Sequence, residues 1–314
     1  MGVAHQPVMV EEVLAALAPS ADGVFLDCTY GRGGHARALL SALGSGGVVI
    51  ALDRDPDAMR EARVHAAREP RLRVVHAPFS QLGAVAEAHG VKGAANGVLL
   101  DLGVSSPQLD DPSRGFSFQT DGPLDMRMDS GAGASAAEWI ASAGEKDIAD
   151  VLWRFGEERH SRRIAKAICQ ARRTQPIRTT RELASVVESA VPHPARRRNG
   201  RGRAYRHPAT RTFQAIRIFV NDEIRELDVA LLGAVDVLAP GGRLAVISFH
   251  SLEDRTVKRF MRNQARGGRP GDEESAPGSP TMRVVGRAVR PTEHEVASNP
   301  RSRSASLRVA EKLG

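Results

Sequence analysis

Short apolar runs that end in a polar or acidic residue recur along the chain and alternate with segments of helical periodicity. Runs rich in Val, Leu and Ile without polar alternation are typical of strands that a parallel sheet buries on both faces. Strands are therefore predicted at 24–27, 48–52, 72–76, 98–100, 244–249, 282–289 and 304–309. Their alternation with helices predicts an α/β fold built on a doubly wound sheet.

Between the fourth and fifth predicted strands the chain carries only helical patterns. Helices are predicted at 136–143, 148–155, 161–172, 180–190 and 212–238. The preceding residues, 109–134, lack clear periodicity, which is typical of a lid or binding loop. We therefore predict a sheet domain formed by 1–108 and 212–314, an active-site loop at 109–134, and an inserted all-helical domain with a basic arm at 135–211.

Charge and cysteine content narrow the class of protein. Lys and Arg number 44 against 37 acids, and the resulting net charge of +7 is compatible with a polyanionic partner. Seven arginines and no acid lie between His193 and Thr212, so the tract Arg196–Arg206 is either a solvated loop or a phosphate-binding arm. The two cysteines lack metal-ligand spacing, and neither a signal sequence nor a membrane-spanning run is evident. We expect a cytoplasmic protein without a metal site or a membrane partner.

A glycine-rich loop follows the first predicted strand, and an acid ends the second. Gly31-x-Gly33-x-x-Ala36 with Asp53 downstream satisfies the loose dinucleotide fingerprint, although such a loop can also serve only as a helix start. A strand-end carboxylate at this place in a doubly wound fold accepts hydrogen bonds from ribose hydroxyls. Residues 27–30 separate the strand from the first glycine, a spacing that favours S-adenosylmethionine (SAM) over a nicotinamide dinucleotide.

The fourth predicted strand ends at Asp101 and is followed by the turn Ser105-Ser106-Pro107-Gln108. Ligands of open α/β sheets bind just beyond the carboxyl ends of the strands. A carboxylate, two hydroxyls and an amide at that edge therefore indicate a site, although Ser and Pro also dominate ordinary turns.

Five segments resemble the MraW/RsmH family, in the same order. They are Gly-Arg-Gly-Gly-His (31–35), Asp-Leu-Gly-Val-Ser-Ser-Pro-Gln (101–108), Gly-Pro-Leu-Asp-Met-Arg-Met-Asp (122–129), Ser-Phe-His-Ser-Leu-Glu-Asp (248–254) and Asn-Pro-Arg-Ser-Arg (299–303). The resemblance covers residues 5–309 and implies a class I, Rossmann-like, SAM-dependent methyltransferase that modifies a cytosine N4 in the decoding region of 16S ribosomal RNA. It implies cofactor contacts through Gly33, Gly34, His35, Asp53, Phe79, Asp101 and Gln108. His35 can instead cap or pack at the helix start, and Phe79 can belong to the core.

The chemistry of amine methylation suggests roles for the turn after Asp101. The cytosine amine is a poor nucleophile, so hydrogen-bond acceptors and alignment would assist the transfer. Ser105, Ser106 and Pro107 can supply a hydroxyl and a backbone carbonyl as acceptors. The turn is similar to the Ser/Asn/Asp-Pro-Pro-aromatic turn of amino-methyltransferases, but Gln108 replaces the aromatic residue. Cys28 is expected to be structural, because this transfer needs no thiol nucleophile.

Further residues are candidates for contact with the RNA substrate. Because the turn has no aromatic residue, Phe116 or Phe118 is a candidate for stacking on the target base. The candidate contacts are Phe116, Asp125, Arg127, His250, Arg301 and Arg303. Asp125 and Arg127 can instead form a structural ion pair, and the other polar residues can be solvated loop positions.

Three classes of function compete at this point. The favoured one is an RNA amino-methyltransferase that acts on the small ribosomal subunit. A DNA amino-methyltransferase shares the chemistry, but the chain has no evident target-recognition domain, and we expect no DNA partner. A non-catalytic RNA-binding protein would be expected to have lost some cofactor positions, and none is lost. Monomer and dimer both remain open.

Overall fold

The computed structural model describes residues 7–191, 207–268 and 278–314. It divides into a sheet unit, Met1–Gly103 with Ile224–Gly314, and a helical unit, Val104–Glu223. The predicted basic arm at Arg196–Arg206 lies outside the described residues, as does the central part of the Gly/Pro-rich stretch near 264–280.

The sheet unit contains seven strands, and the predicted α/β doubly wound architecture is confirmed. The strands are β1 (Val24–Asp27), β2 (Val48–Asp53), β3 (Leu72–His76), β4 (Ala95–Asp101), β5 (Leu238–Ser248), β6 (Met282–Val289) and β7 (Ser306–Lys312). Their order is β3-β2-β1-β4-β5-β7-β6, in which β7 is antiparallel to both of its neighbours and the other pairs are parallel.

Helices cover both faces of this sheet. The helices of the chain are α1 (Val10–Leu17), α2 (Gly34–Ala42), α3 (Pro56–Ala66), α4 (Leu82–Ala88), α5 (Ser106–Asp110), α6 (Ala136–Ser142), α7 (Glu145–Gly156), α8 (Ser161–Thr174), α9 (Thr180–Ala190), α10 (Ala209–Val220), α11 (Glu223–Val237), α12 (Ser251–Gln264) and α13 (Glu293–Ser298). Successive strand residues point to opposite faces. Leu26 therefore joins a core with α4, α11 and α12, whereas Phe25 joins a second core with α1, α2 and α3.

The strand order reverses between β1 and β4, which are hydrogen-bonded neighbours. In open α/β sheets this switch point is where a ligand binds, beyond the carboxyl ends of the strands. The pairing register sets Asp27 of β1 opposite Ala51 of β2 and Leu99 of β4. Asp53 and Asp101 each follow those partners by two positions. Three acidic residues therefore end three adjacent strands at one edge of the sheet.

The helical unit has its own core, which includes residues of the predicted loop at 109–134. That stretch is mostly irregular and includes the end of α5 and a short 3-10 turn at Pro112–Arg114. Phe116, Leu124, Met126 and Met128 are buried in the core formed with α6–α10. The stretch shows no hydrophobic periodicity because its backbone is irregular and its apolar side chains pack into the core one at a time.

The predicted single helix at 212–238 is wrong, because the structure contains two helices there. Asn221 is buried between them, where its Oδ1 accepts from the Met128 N–H (2.7 Å) and its Nδ2 donates to the Met126 carbonyl (2.7 Å). Asp222 has a left-handed backbone with φ 50°, which ends helical continuity. Because α10 packs in the helical unit, this unit extends to Glu223, past the predicted boundary at 212. The unit begins at Val104, before the predicted boundary at 108.

No helix among the described residues is both long enough and apolar enough to cross a membrane.

Candidate active site

The glycine loop between β1 and α2 depends on its glycines for conformation and packing. Gly31 and Gly33 have φ values of +54° and +69°, a region that side-chain-bearing residues rarely adopt. A Cβ on Gly33 would lie 2.5 Å from the Tyr30 ring, and one on Gly34 would lie 2.6 Å from Pro7. The loop therefore packs closely while it directs the N-terminus of α2, with its outward N–H groups, toward the carboxyl edge.

Asp53 connects the end of β2 to this loop. Its Oδ2 accepts from the Gly31 N–H (2.7 Å), and its Oδ1 accepts from the Asp55 N–H (2.8 Å). Burial raises the pKa of Asp53 to about 6, although both backbone hydrogen bonds favour its ionised form. Each oxygen has a second lone pair for a further donor.

Asp101 lies at the end of β4, beside His35 of α2. The Nε2 of His35 is 2.9 Å from the Val8 carbonyl, which can only accept, so Nε2 carries the proton. The Nδ1 then faces Asp101 Oδ2 at 3.7 Å. Burial, with a smaller contribution from the Glu253 carboxylate, raises the pKa of Asp101 to about 7. His35 thus packs at the helix start and also borders the carboxylate.

Asp27 is a third acid at this edge, and it is missing from the predicted site residues. It is 1% exposed, and burial raises its pKa to about 6. Among the described residues its Oδ2 has no hydrogen-bond partner, and the same holds for Asp101 Oδ1. Unpaired buried oxygens are costly. Two such oxygens at one edge of the sheet indicate a ligand that donates hydrogen bonds to them. The signal was an acid between a buried strand and the glycine loop.

The remaining predicted cofactor residues lie in different surroundings. Phe79 begins a short 3-10 turn after β3 and is partly buried against the core that contains Leu26. Gln108 belongs to the helical unit, where its Oε1 accepts from the Ser105 N–H at 2.8 Å. The Ser105-Ser106-Pro107 turn is the start of α5, with Ser105 at the N-cap and Pro107 in the first turn. These three residues are partly exposed.

Phe116 and Phe118, the candidates for base stacking, both contact side chains of the helical unit. Phe116 is 7% exposed within the core of the helical unit, where the Arg114 guanidinium lies 5.8 Å from its ring centre. Phe118 packs on the rings of Phe213 and His207, with centroids 4.7 and 4.6 Å away. Stacking on a base requires an open ring face. Phe116 is buried, whereas Phe118 is partly exposed.

Asp125 and Arg127 form a bidentate ion pair, in agreement with the structural alternative. Arg127 Nε and Nη2 donate to the two Asp125 oxygens at 2.8 and 2.7 Å. The guanidinium holds the pKa of Asp125 below its usual range, although burial opposes this shift. Two donors of the Arg127 guanidinium are therefore engaged within the helical unit.

We expect Arg127→Gln to lower the free energy of unfolding by about 1 kcal/mol, because it breaks a half-buried, bidentate, charge-assisted pair. Urea denaturation measures this loss. Arg181→Gln is the matched control, because Arg181 is 70% exposed and lies 4.0 Å from Asp121 in the same unit. Unchanged stability of Arg127→Gln with a raised KM for RNA would instead favour a substrate contact.

The last three predicted substrate residues belong to the sheet unit. His250 caps α12, and its Nδ1 accepts from the Glu253 N–H at 3.3 Å while its Nε2 lies 3.0 Å from Glu253 Oε1. This arrangement gives His250 a structural role at the helix start. Arg301 and Arg303 are exposed on the 3-10 turn Pro300–Ser304, on either side of the buried Ser302, and so face solvent.

Comparisons with known proteins find relatives over nearly the whole chain. A model of the MraW methylase family matches residues 2–313. Ribosomal RNA small subunit methyltransferase H from Thioalkalivibrio sulfidiphilus is 52% identical over 315 residues, which cover 99% of this chain and 98% of that protein.

Two solved structures are more distant. An rRNA methylase from Streptococcus thermophilus has a TM-score of 0.43 and 10% identity, with all of both chains covered. A SAM-dependent O-methyltransferase from Thermotoga maritima has a TM-score of 0.42 and 10% identity, covering 99% of this chain and 68% of that one. Neither likeness is close enough to support a conclusion.

Proposed function

The chain belongs to the MraW methylase family, and from that premise we propose that it methylates the N4 amine of a cytosine in the decoding region of 16S ribosomal RNA. Family membership makes it a SAM-dependent ribosomal RNA methyltransferase. The 52% identity to a small-subunit rRNA methyltransferase over nearly the whole chain carries the proposal. The choice of cytosine N4 rests on the motif resemblance and awaits the experiment below. We place the enzyme in the cytoplasm, with its ribosomal substrate.

The carboxyl edge of the sheet is chemically suited to SAM. Asp53 can accept from the ribose hydroxyls with its remaining lone pairs. The unpartnered oxygens of Asp27 and Asp101 offer acceptors and negative charge for a cationic, donor-rich ligand. The partly exposed ring of Phe79 provides an apolar surface near the end of β3. We propose that these residues, with Gly33, Gly34 and His35, hold the cofactor.

The residues of this chain would assist the transfer by orientation and hydrogen bonding. Bound SAM supplies an electrophilic methyl group on a sulfonium. The Ser105 and Ser106 hydroxyls are candidates to accept from the cytosine amine, which localises the nitrogen lone pair for attack. Pro107 fixes the backbone at the start of α5 and so orients both hydroxyls. A thiol nucleophile is not required, and burial raises the pKa of Cys28 well above its usual value.

A methyl-transfer assay tests the proposal. Isotopically labelled SAM and the enzyme are incubated with small subunits from cells that lack the corresponding gene, and the digested nucleosides are analysed by mass spectrometry. We expect labelled N4-methylcytidine at one position of the 16S RNA. Cys28→Ala is expected to leave the product yield unchanged. Label in another nucleoside, or in DNA supplied as a competitor, would contradict the proposal.

A further inference from the structure

The helix that follows β5 carries a row of cations on its exposed face. Lys258, Arg259 and Arg262 lie on α12, and Arg266 lies in the turn that ends it. All four are exposed, and Val257, Phe260 and Met261 on the opposite face pack into the core. Lys258, Arg262 and Arg266 are four positions apart, so they lie on one side at about 6 Å intervals along the axis.

Local interactions do not account for this row, which we call the α12 basic stripe (Lys258, Arg259, Arg262 and Arg266). Within the described residues none of the four forms an ion pair or a side-chain hydrogen bond. Only Arg259 has an acid in its electrostatic environment, Asp228 of α11. Like charges four positions apart destabilise a helix. Favourable interaction with the helix dipole is confined to the last turn, so it explains Arg262 and Arg266 but not the whole row.

The acids of α12 do not neutralise the stripe. Glu253 is 3% exposed and accepts from the N–H groups of Phe249 and His250. Asp254 forms a bidentate pair with Arg308, at 2.8 and 2.9 Å. The outer face of α12 is therefore uniformly positive.

The helix that carries the stripe begins next to the candidate cofactor site. Ile247 of β5 is the register partner of Asp101, and α12 starts four residues after Ile247. The Glu253 carboxylate in its first turn is close enough to act on Asp101. From there to Arg266 the chain rises by about 20 Å at 1.5 Å per residue. The stripe thus leads away from the carboxyl edge within one unit of the structure.

We propose that the α12 basic stripe binds the phosphate backbone of the ribosomal RNA on one side of the target nucleotide. This inference rests on the proposed function for the identity of the RNA. Unpaired cations at regular spacing match a polyanion whose charges repeat along a strand, and their contacts to phosphates position the RNA without reading its sequence.

The test variant is Lys258→Gln with Arg262→Gln and Arg266→Gln in the full-length protein. The matched control is Arg63→Gln with Arg68→Gln and Arg73→Gln. These three arginines are also exposed and without ion pairs among the described residues, but they lie at the β3 end of the sheet, whereas α12 packs on β5, β6 and β7. Both variants lose the same charge.

Binding of a fluorescent decoding-region RNA is measured between about 50 and about 200 mM salt. About 0.7 counterions are released per contact, and the variant loses three contacts. Over this range its RNA affinity should therefore fall about 20-fold less than that of wild type. The control should match wild type. On small subunits we expect the stripe variant to raise KM and leave kcat and SAM affinity unchanged, because phosphate contacts position the substrate.

Equal salt dependence and KM in the stripe variant and the control would overturn the proposal. So would loss of binding to phosphatidylserine vesicles with RNA affinity retained, which would indicate a membrane surface instead. If wild-type enzyme produces no N4-methylcytidine, the proposed function fails, while the RNA-binding comparison still decides the stripe. Thermal unfolding should show the stripe variant to be at least as stable as wild type, because it removes like-charge repulsion.

Discussion

Asp101→Asn is expected to lower the rate of methyl transfer about 100-fold, or ~2.7 kcal/mol at 1.36 kcal/mol per tenfold, with the protein fully folded. Asn keeps the shape of the side chain but removes the negative charge and one acceptor. The lost acceptor belongs to a carboxylate with one unpartnered oxygen beside His35. SAM affinity, measured by calorimetry, should fall in parallel.

The same substitution should not reduce stability at about pH 8. The pKa of Asp101 is raised to about 7, so in the folded protein this group keeps a proton that the unfolded chain releases. The Asp101 carboxyl therefore contributes to the free energy of unfolding at low pH. This contribution is lost as the pH rises through the pKa that the group has in the folded protein. Asn does not titrate. Cys28→Ala is the control with unchanged activity, and wild-type turnover by Asp101→Asn would refute its role.

Gly33→Ala is expected to destabilise the protein by about 2–5 kcal/mol and to weaken SAM binding. The left-handed backbone costs a non-glycine residue about 1–2 kcal/mol, and overpacking adds about 1–3 kcal/mol. The added methyl would lie 2.5 Å from the Tyr30 ring, so the loop or the ring must move.

Gly90→Ala separates these two contributions. Gly90 has φ +70°, almost the same as the +69° of Gly33, but a Cβ there meets nothing within 4 Å. Denaturant unfolding should therefore show the conformational cost alone, with unchanged SAM affinity. Equal losses of stability in the two variants would show that close packing of the glycine loop is not important.

The central strands were predictable because the sheet buries them on both faces. A strand such as Val48–Asp53, buried at its four central positions, must be apolar on both sides, and an unbroken apolar run records this directly. The strand-end acids Asp53 and Asp101 were found for the same reason, since a carboxylate stands out at the end of such a run. Asp27 has the same signal, an acid at the end of an apolar run, just before the glycine loop.

Features fixed by tertiary contacts were not predictable. The break between α10 and α11 depends on Asn221 bonding to the backbone of Met126 and Met128, which lie more than ninety positions away in the sequence. Phe116 has the sequence context of an exposed loop residue, and only the core of the helical unit accounts for its burial. Gln108, a predicted cofactor contact, also accepts from the Ser105 N–H at the start of α5, a bond that the sequence did not indicate. Side chains with two possible roles need coordinates to separate them.

The pH dependence of SAM binding tests most directly the claim that the acidic edge of β1, β2 and β4 holds the cofactor. A cationic ligand that also donates to carboxylates requires their ionised forms, so it lowers their pKa values and releases protons. Calorimetric titration should therefore show affinity rising at least about tenfold from about pH 5.5 to about pH 8, then levelling.

Asp53→Ala should weaken binding at the upper pH and reduce the proton release, because its pKa of about 6 lies within this window. We expect both results. A pH-independent affinity, together with a wild-type dissociation constant for Asp53→Ala, would contradict it and place the cofactor elsewhere.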